Sequence, residues 1–252
     1  MKMIKYIKFG LFSMILAWSG FSFVTAATLN IDDLDNPKVT EAFVDGLVLP
    51  LMKNNNSPSG TVAIVKGGKL IFAKGYGFQD VAKQIPVVAN QTLFRPGSVS
   101  KLFTWVAVMQ MVEQGKLDLD ADINSYLKTF QIKNTFPGKS ITMRHIMTHT
   151  SGFEDGALGY LIINDPARIM PLADAMARYQ PERVNPPGVQ TAYSNYATSV
   201  AGLIVANLSG LAFADYIKKN IFDIFEFCAA FRNNVMIGMK NCGRTTYILR
   251  KR

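Results

Sequence analysis

The chain has 252 residues, 49% of them hydrophobic and 18% charged, which excludes a disordered or low-complexity protein. At roughly 100–200 residues per domain, it forms one large domain or two small ones. Two cysteines exclude a disulfide-dense miniprotein, and no Cys/His cluster has zinc-ligand spacing.

The formal charge of +9 is concentrated at the two ends. Lys2, Lys5 and Lys8 crowd the amino end, where no acidic residue precedes Asp32. Residues 221–252 hold Arg232, Lys240, Arg244, Arg250, Lys251 and Arg252 against Asp223 and Glu226. The stretch between is nearly balanced and shows no basic stripe interleaved with aromatics, so no nucleic-acid partner is expected.

Residues 1–26 read as a secretory signal. Basic residues precede an apolar run from Phe9 to Phe23, and small residues at Val24-Thr25-Ala26 suit cleavage before Ala27. An uncleaved anchor is the rival reading, because the stretch nears spanning length. Gly10, Ser13, Ser19, Gly20 and Ser22 interrupt it and favour cleavage. The expectation is an exported protein, periplasmic or secreted, with no stable membrane span once cleaved.

In the mature chain, residues 32–53 predict an amphipathic helix with Val39, Phe43, Leu47 and Leu51 as its apolar face. A turn-rich patch runs from Asn54 to Gly60. Two short apolar runs, Val62-Ala-Ile-Val65 and Leu70-Ile-Phe-Ala73, then flank Lys66-Gly67-Gly68-Lys69. That reads as a tight hairpin, because both glycines accept positive φ. Leu102, Val106, Met109 and Val112 mark one face of a further helix, ended by Gly115. Residues 166–180 and 196–220 carry more helical patterns. With no linker or internal repeat, one α+β domain is expected.

The chemistry-bearing block is Phe94-Arg-Pro-Gly-Ser98-Val-Ser-Lys101. A serine at a helix start is ordinarily a cap. Here Lys101 follows one turn later on nearly the same face. A serine hydroxyl needs a neighbouring base before it attacks, and a neutral lysine serves when burial and positive charge lower its pKa. A helix amino terminus favours both that neutral lysine and a developing oxyanion. Further on, Tyr193-Ser194-Asn195 precedes another helix. Its phenol could relay a proton, and its amide could orient Lys101 and hold a substrate amide.

Four blocks, in this order and spacing, resemble landmarks of the serine β-lactamase-related superfamily: Phe94–Lys101, Leu117-Asp-Leu-Asp-Ala-Asp122, His145-Ile-Met-Thr-His-Thr-Ser-Gly152 and Tyr193-Ser-Asn195. The closest branch is that of class C β-lactamases, D-alanyl-D-alanine carboxypeptidases and esterases, over roughly residues 40–222. The resemblance implies an α+β fold in which a helical cluster packs on an antiparallel sheet. It implies Ser98 as the acylated nucleophile and Lys101 as its proton acceptor. Tyr193 would be the general acid/base and Asn195 a substrate-orienting residue. No cofactor or metal is implied, and the substrates would be β-lactams, D-Ala-D-Ala peptides or small esters. The Thr-His-Thr-Ser-Gly block would be a structural turn. His145 and His149, four apart, could in principle share a metal or form a triad, but no Glu stands in the zincin position. Ser151 and Ser194 read as turn or network residues.

The resemblance fades after Asp223. Relatives carry a third motif on a later strand, His or Lys, any residue, then Gly, whose backbone completes the oxyanion hole. Here Met236-Ile-Gly238 fits only as a bare x-x-Gly, and no histidine follows His149. The expected layout is therefore a signal at 1–26, a partial hydrolase domain at 27–223 and an atypical basic tail at 224–252. The end reads as altered or truncated, which would leave the sheet incomplete and the edge of the hairpin at 62–72 exposed. Cys228 and Cys242 both fall in that tail, either as a disulfide or as two thiols. Oligomeric state is open. Two other readings stand beside the hydrolase: an inactive remnant or ligand-binding pseudoenzyme, and a membrane-anchored interaction protein that retains residues 1–26.

Overall fold

The computed structural model describes residues 30, 32–154, 165–224, 228–232 and 235–240. The expected signal at 1–26 and Cys242 lie outside these. The chain divides into two compact units, Met1–Ser57 with Ala63–Phe72, and Pro58–Val62 with Ala73–Arg252.

The first unit contains helix α1, Pro37–Asn54. Asn36 starts it by accepting hydrogen bonds from the Lys38 and Val39 amides, with Pro37 in the first turn, where its missing N–H costs nothing. The expected apolar face is not the buried one. Val39, Phe43, Leu47 and Leu51 are 39%, 40%, 52% and 59% exposed. Thr40 and Val44 are buried instead, with Val48 and Met52 half-buried below them. The stripe is rotated by one residue, about 100° around the axis. Apolar residues occupy more than half the circumference of this helix, so periodicity does not single out the packed face. In the same unit Lys66 Nζ meets Asp35 Oδ2 at 2.7 Å, an exposed pair worth about 0–1 kcal/mol.

Strand β1, Ser59–Lys66, turns through Gly67 and Gly68 into β2, Lys69–Asp80. Both glycines have positive φ, 56° and 75°, as the hairpin reading requires. A two-residue strand β3, Ile85–Pro86, pairs antiparallel with β2 through a bulge between Phe78 and Asp80. The sheet order is β1-β2-β3.

The core of the second unit is helical. Helix α2, Lys101–Glu113, packs against α5, Asn195–Ser209, and the short helices α3, Met143–Met147, and α4, Leu172–Arg178, also pack on α5. Helix α5 buries nine residues, Tyr196 to Thr198 and Val200 to Val205; each of its buried Val, Leu and Ile side chains stabilises by about 1.5–3 kcal/mol. Ser194 starts α5, its Oγ accepting from the Ala197 amide at 3.1 Å. Gly210, at φ 72°, ends it. A bend of 78° leads into α6, Phe213–Ile217, and a π turn through Phe222. Phe222 sets its ring edge-on to Phe103 of α2 at 4.9 Å.

The face expected for α2 is also displaced. Leu102 and Met109 are 57% and 43% exposed, whereas Phe103, Ala107, Val108 and Met111 are buried. The helix is apolar on nearly every side, so only its neighbours select the face. The Leu117–Asp122 block is a set of turn fasteners. Asp120 binds the Arg144 guanidinium in two bonds of 2.7 Å, and Asp122 caps the turn before Asn124. Arg144 sits on α3, so this block anchors the segment that leads to His149.

Strands β4, Cys228–Arg232, and β5, Val235–Lys240, form a separate antiparallel pair within the expected tail. Met236-Ile-Gly238 thus lies on β5, which pairs with β4. Among the described residues, no single helix is long and apolar enough to cross a membrane.

Candidate active site

Ser98 lies in a 3₁₀ turn, Gly97–Ser100, that runs directly into α2. Gly97 takes φ 55°, which lets the chain turn sharply out of Pro96 into that helix. The turn leaves Ser98 exposed at the entry to α2, with Lys101 half-buried one turn on. Lys101 Nζ stands 3.2 Å from Ser98 Oγ and donates to Asn195 Oδ1 at 2.7 Å.

Tyr193 approaches from the other side. Its hydroxyl donates to Ser98 Oγ at 2.6 Å. Its ring lies under Lys101 Nζ, 4.6 Å from the centroid, a contact that helps fix the position of the amine. The four residues expected from sequence thus share one hydrogen-bonded cluster. Tyr193 is 43% exposed, so the cluster is open to a ligand.

What carries Tyr193 there is a ladder of backbone bonds between residues 149–154 and 182–192. Ala192 N–H donates to His149 O at 2.7 Å, Gly188 to Thr150 at 2.8 Å, Val184 to Gly152 at 2.9 Å and Glu154 to Glu182 at 2.8 Å. Gly152, at φ 80°, permits the closest approach, since a Cβ there would run into the Asn185 carbonyl. Ser151 is fully buried inside this ladder, and Ser194 is occupied as the α5 cap.

His145 and His149 do not share a helix face. Helix α3 stops at Met147, and His149 is left-handed, at φ 55°. His145 Nδ1 accepts from the Thr142 amide at 3.1 Å and closes a capping box. His149 Nδ1 accepts from the Ser194 amide at 3.3 Å, and its ring lies against that of Tyr193, centroids 4.5 Å apart. Trp105 meets the same imidazole edge-on at 6.3 Å. Sequence reading placed His149 in a structural turn and missed its contact with Tyr193. Its place in the His-Thr-Ser-Gly block was the only local signal.

Burial lowers the pKa of both histidines, and the charge on Lys101 lowers that of His149 further. The unfolded chain takes up protons near pH ~6.5 while the folded one resists, so stability is full above that pH. It is lost as pH falls from there through the folded pKa values. Urea titrations from about pH 8 down to about pH 5 are expected to show stability dropping, by at most ~1.4 kcal/mol per pH unit for each histidine. His145→Gln flattens that slope; an unchanged slope would refute the assignment.

Residues 44–242 match the Beta-lactamase family model, well over half of the chain. The chain belongs to the Beta-lactamase family. Protein flp of Staphylococcus aureus (strain N315) is 27% identical over 178 residues, which take in 70% of this chain and 35% of flp. The octameric penicillin-binding protein homologue from Pyrococcus abyssi superposes with a TM-score of 0.62 at 26% identity, over 76% of this chain and 44% of that one. A class C beta-lactamase gives 0.60 at 28% identity, over 80% and 52%. This Beta-lactamase family member therefore spans about a third of flp and about half of the two solved structures. The expected α+β, penicillin-binding-protein-like fold is the observed one.

Proposed function

We propose that the chain is an exported serine hydrolase that forms an acyl-enzyme on Ser98. The observation that carries this reading is the convergence on Ser98 Oγ of the Lys101 amine at 3.2 Å and the Tyr193 phenol at 2.6 Å. Lys101 or Tyr193, in its deprotonated form, takes the Ser98 proton as Oγ attacks a carbonyl carbon. Collapse of the tetrahedral adduct expels an amine or alcohol, which leaves with a proton delivered by Tyr193 or Lys101. Water then cleaves the ester and regenerates Ser98. Asn195 holds Lys101 in place and turns its remaining amide capacity toward a substrate amide. The substrate class is a small molecule or peptide with an acylating carbonyl: a β-lactam, a D-Ala-D-Ala peptide or a small ester.

Mass spectrometry after incubation with a fluorophosphonate or a penicillin should place an adduct on Ser98, and none in Ser98→Ala. A folded parent chain that takes up neither probe would sink the reading.

A second reading, a ligand-binding relative without turnover, is favoured by one feature. Gly238 belongs to a strand paired with β4 in a sheet distinct from β1-β2-β3. Loss of one oxyanion donor costs about 3–4 kcal/mol of transition-state stabilisation. Turnover of a nitrophenyl ester that requires Lys101 would rule this reading out.

A further inference from the structure

We propose that His149 is a positioning residue that holds the Tyr193 phenol on Ser98 Oγ. The inference rests on the acyl-enzyme reading and deepens it. One residue grips three consecutive residues. The His149 carbonyl accepts from Ala192 N–H at 2.7 Å, its Nδ1 accepts from Ser194 N–H at 3.3 Å, and its ring braces the Tyr193 ring at 4.5 Å, tilted by 38°.

A phenol on a half-exposed loop has two soft torsions, and the backbone on either side fixes neither of them. Lys101 covers one part of the ring and His149 another, so the hydroxyl is left pointing at Ser98. A misplacement of about 1 Å at such a distance costs on the order of 10²-fold in rate. His149 also adopts a left-handed conformation that non-glycine residues seldom take, and α2 buttresses it through Trp105. Left-handed residues held by their surroundings concentrate at functional sites.

The bond from Ser194 fixes the chemical form of the ring. A backbone N–H only donates, so Nδ1 must be unprotonated, and the neutral ring carries its proton on Nε2. The titratable groups facing it are Lys101 from α2 and Tyr193 from the loop before α5. A second proton would break the Ser194 bond and set an imidazolium beside Lys101. Burial and the Lys101 charge both oppose that protonation.

The test separates holding the fold from aiming the phenol. His149→Asn keeps an acceptor at the Nδ1 position and tolerates the left-handed backbone, but removes the ring. It is expected to melt within a few degrees of the parent, while the limiting rate of Ser98 acylation by a fluorophosphonate falls about tenfold. Half-saturation should stay within twofold. His149→Ala is expected to lose about 10²-fold. A His149→Asn variant that melts and acylates like the parent overturns the proposal. Nitrogen NMR of the unmodified chain should show Nδ1 of His149 unprotonated at neutral pH; a protonated Nδ1 also overturns it. If the parent takes up no probe at all, the acyl-enzyme reading fails separately. The Tyr193 ring-to-Ser98 proton NOEs then decide, and NOEs unchanged in His149→Asn refute positioning.

Discussion

Lys101→Ala is expected to slow acylation of Ser98 by roughly 10²–10⁴-fold, the usual contribution of a positioned proton-transfer group. That corresponds to about 3–5 kcal/mol of barrier. Lys101 makes three contacts, with Ser98 Oγ at 3.2 Å, Asn195 Oδ1 at 2.7 Å and the Tyr193 ring at 4.6 Å. Its removal takes away the amine and all three of these contacts. Lys101→Arg should not restore the rate, because a guanidinium stays protonated and cannot accept the Ser98 proton. Both variants are expected to melt close to the parent, since Lys101 is only half-buried at the start of its helix. Stopped-time labelling with a fluorophosphonate, read by intact mass, measures the effect. Alanine-variant labelling at the parental rate would remove Lys101 from the mechanism.

The largest effect on stability is expected at Gly152→Ala. Two costs combine there. An L-residue at φ 80° is strained, and the added methyl would strike the Asn185 carbonyl. Neither side can yield freely, because Val184 and Asn185 donate to the Gly152 carbonyl at 2.9 and 3.4 Å. Strain and overpacking each cost about 1–3 kcal/mol, so a loss of roughly 2–6 kcal/mol is expected. That is a large share of the 5–15 kcal/mol typical of a domain. The same ladder ends at Ala192, so displacing it also moves Tyr193. Chemical denaturation of the alanine variant checks this; a loss below about 1 kcal/mol would show that the Val184–Asn185 segment gives way easily.

Local chemistry was legible wherever one residue type has few roles. Gly67 and Gly68 announced the hairpin because two successive positive φ values are cheap only for glycine. Ser98, Lys101, Tyr193 and Asn195 were recognisable because their spacing matched a known pattern. Helix faces were not legible in α1 and α2, whose apolar residues wrap most of the circumference. There the neighbour, rather than the period, selects Thr40 and Val44 over Val39 and Phe43. The strands at 228–232 and 235–240 went unread, although the apolar runs Cys228-Ala-Ala-Phe231 and Val235-Met-Ile237 flank Asn233-Asn234, a two-residue turn signal.

The sequence by itself determined which groups are available for chemistry and that Ser98 and Lys101 lie one helical turn apart, because helix geometry makes that distance a local property. Only the tertiary structure decided that Tyr193, Asn195 and His149 join them. Those contacts bridge stretches of some 45 to 95 residues, as the 94- and 95-residue separations of the Lys101–Asn195 and Tyr193–Ser98 bonds show. They are held by the backbone ladder around Gly152 and by the packing of α2 on α5. No local period encodes such closure; it follows from burying one apolar helix against another.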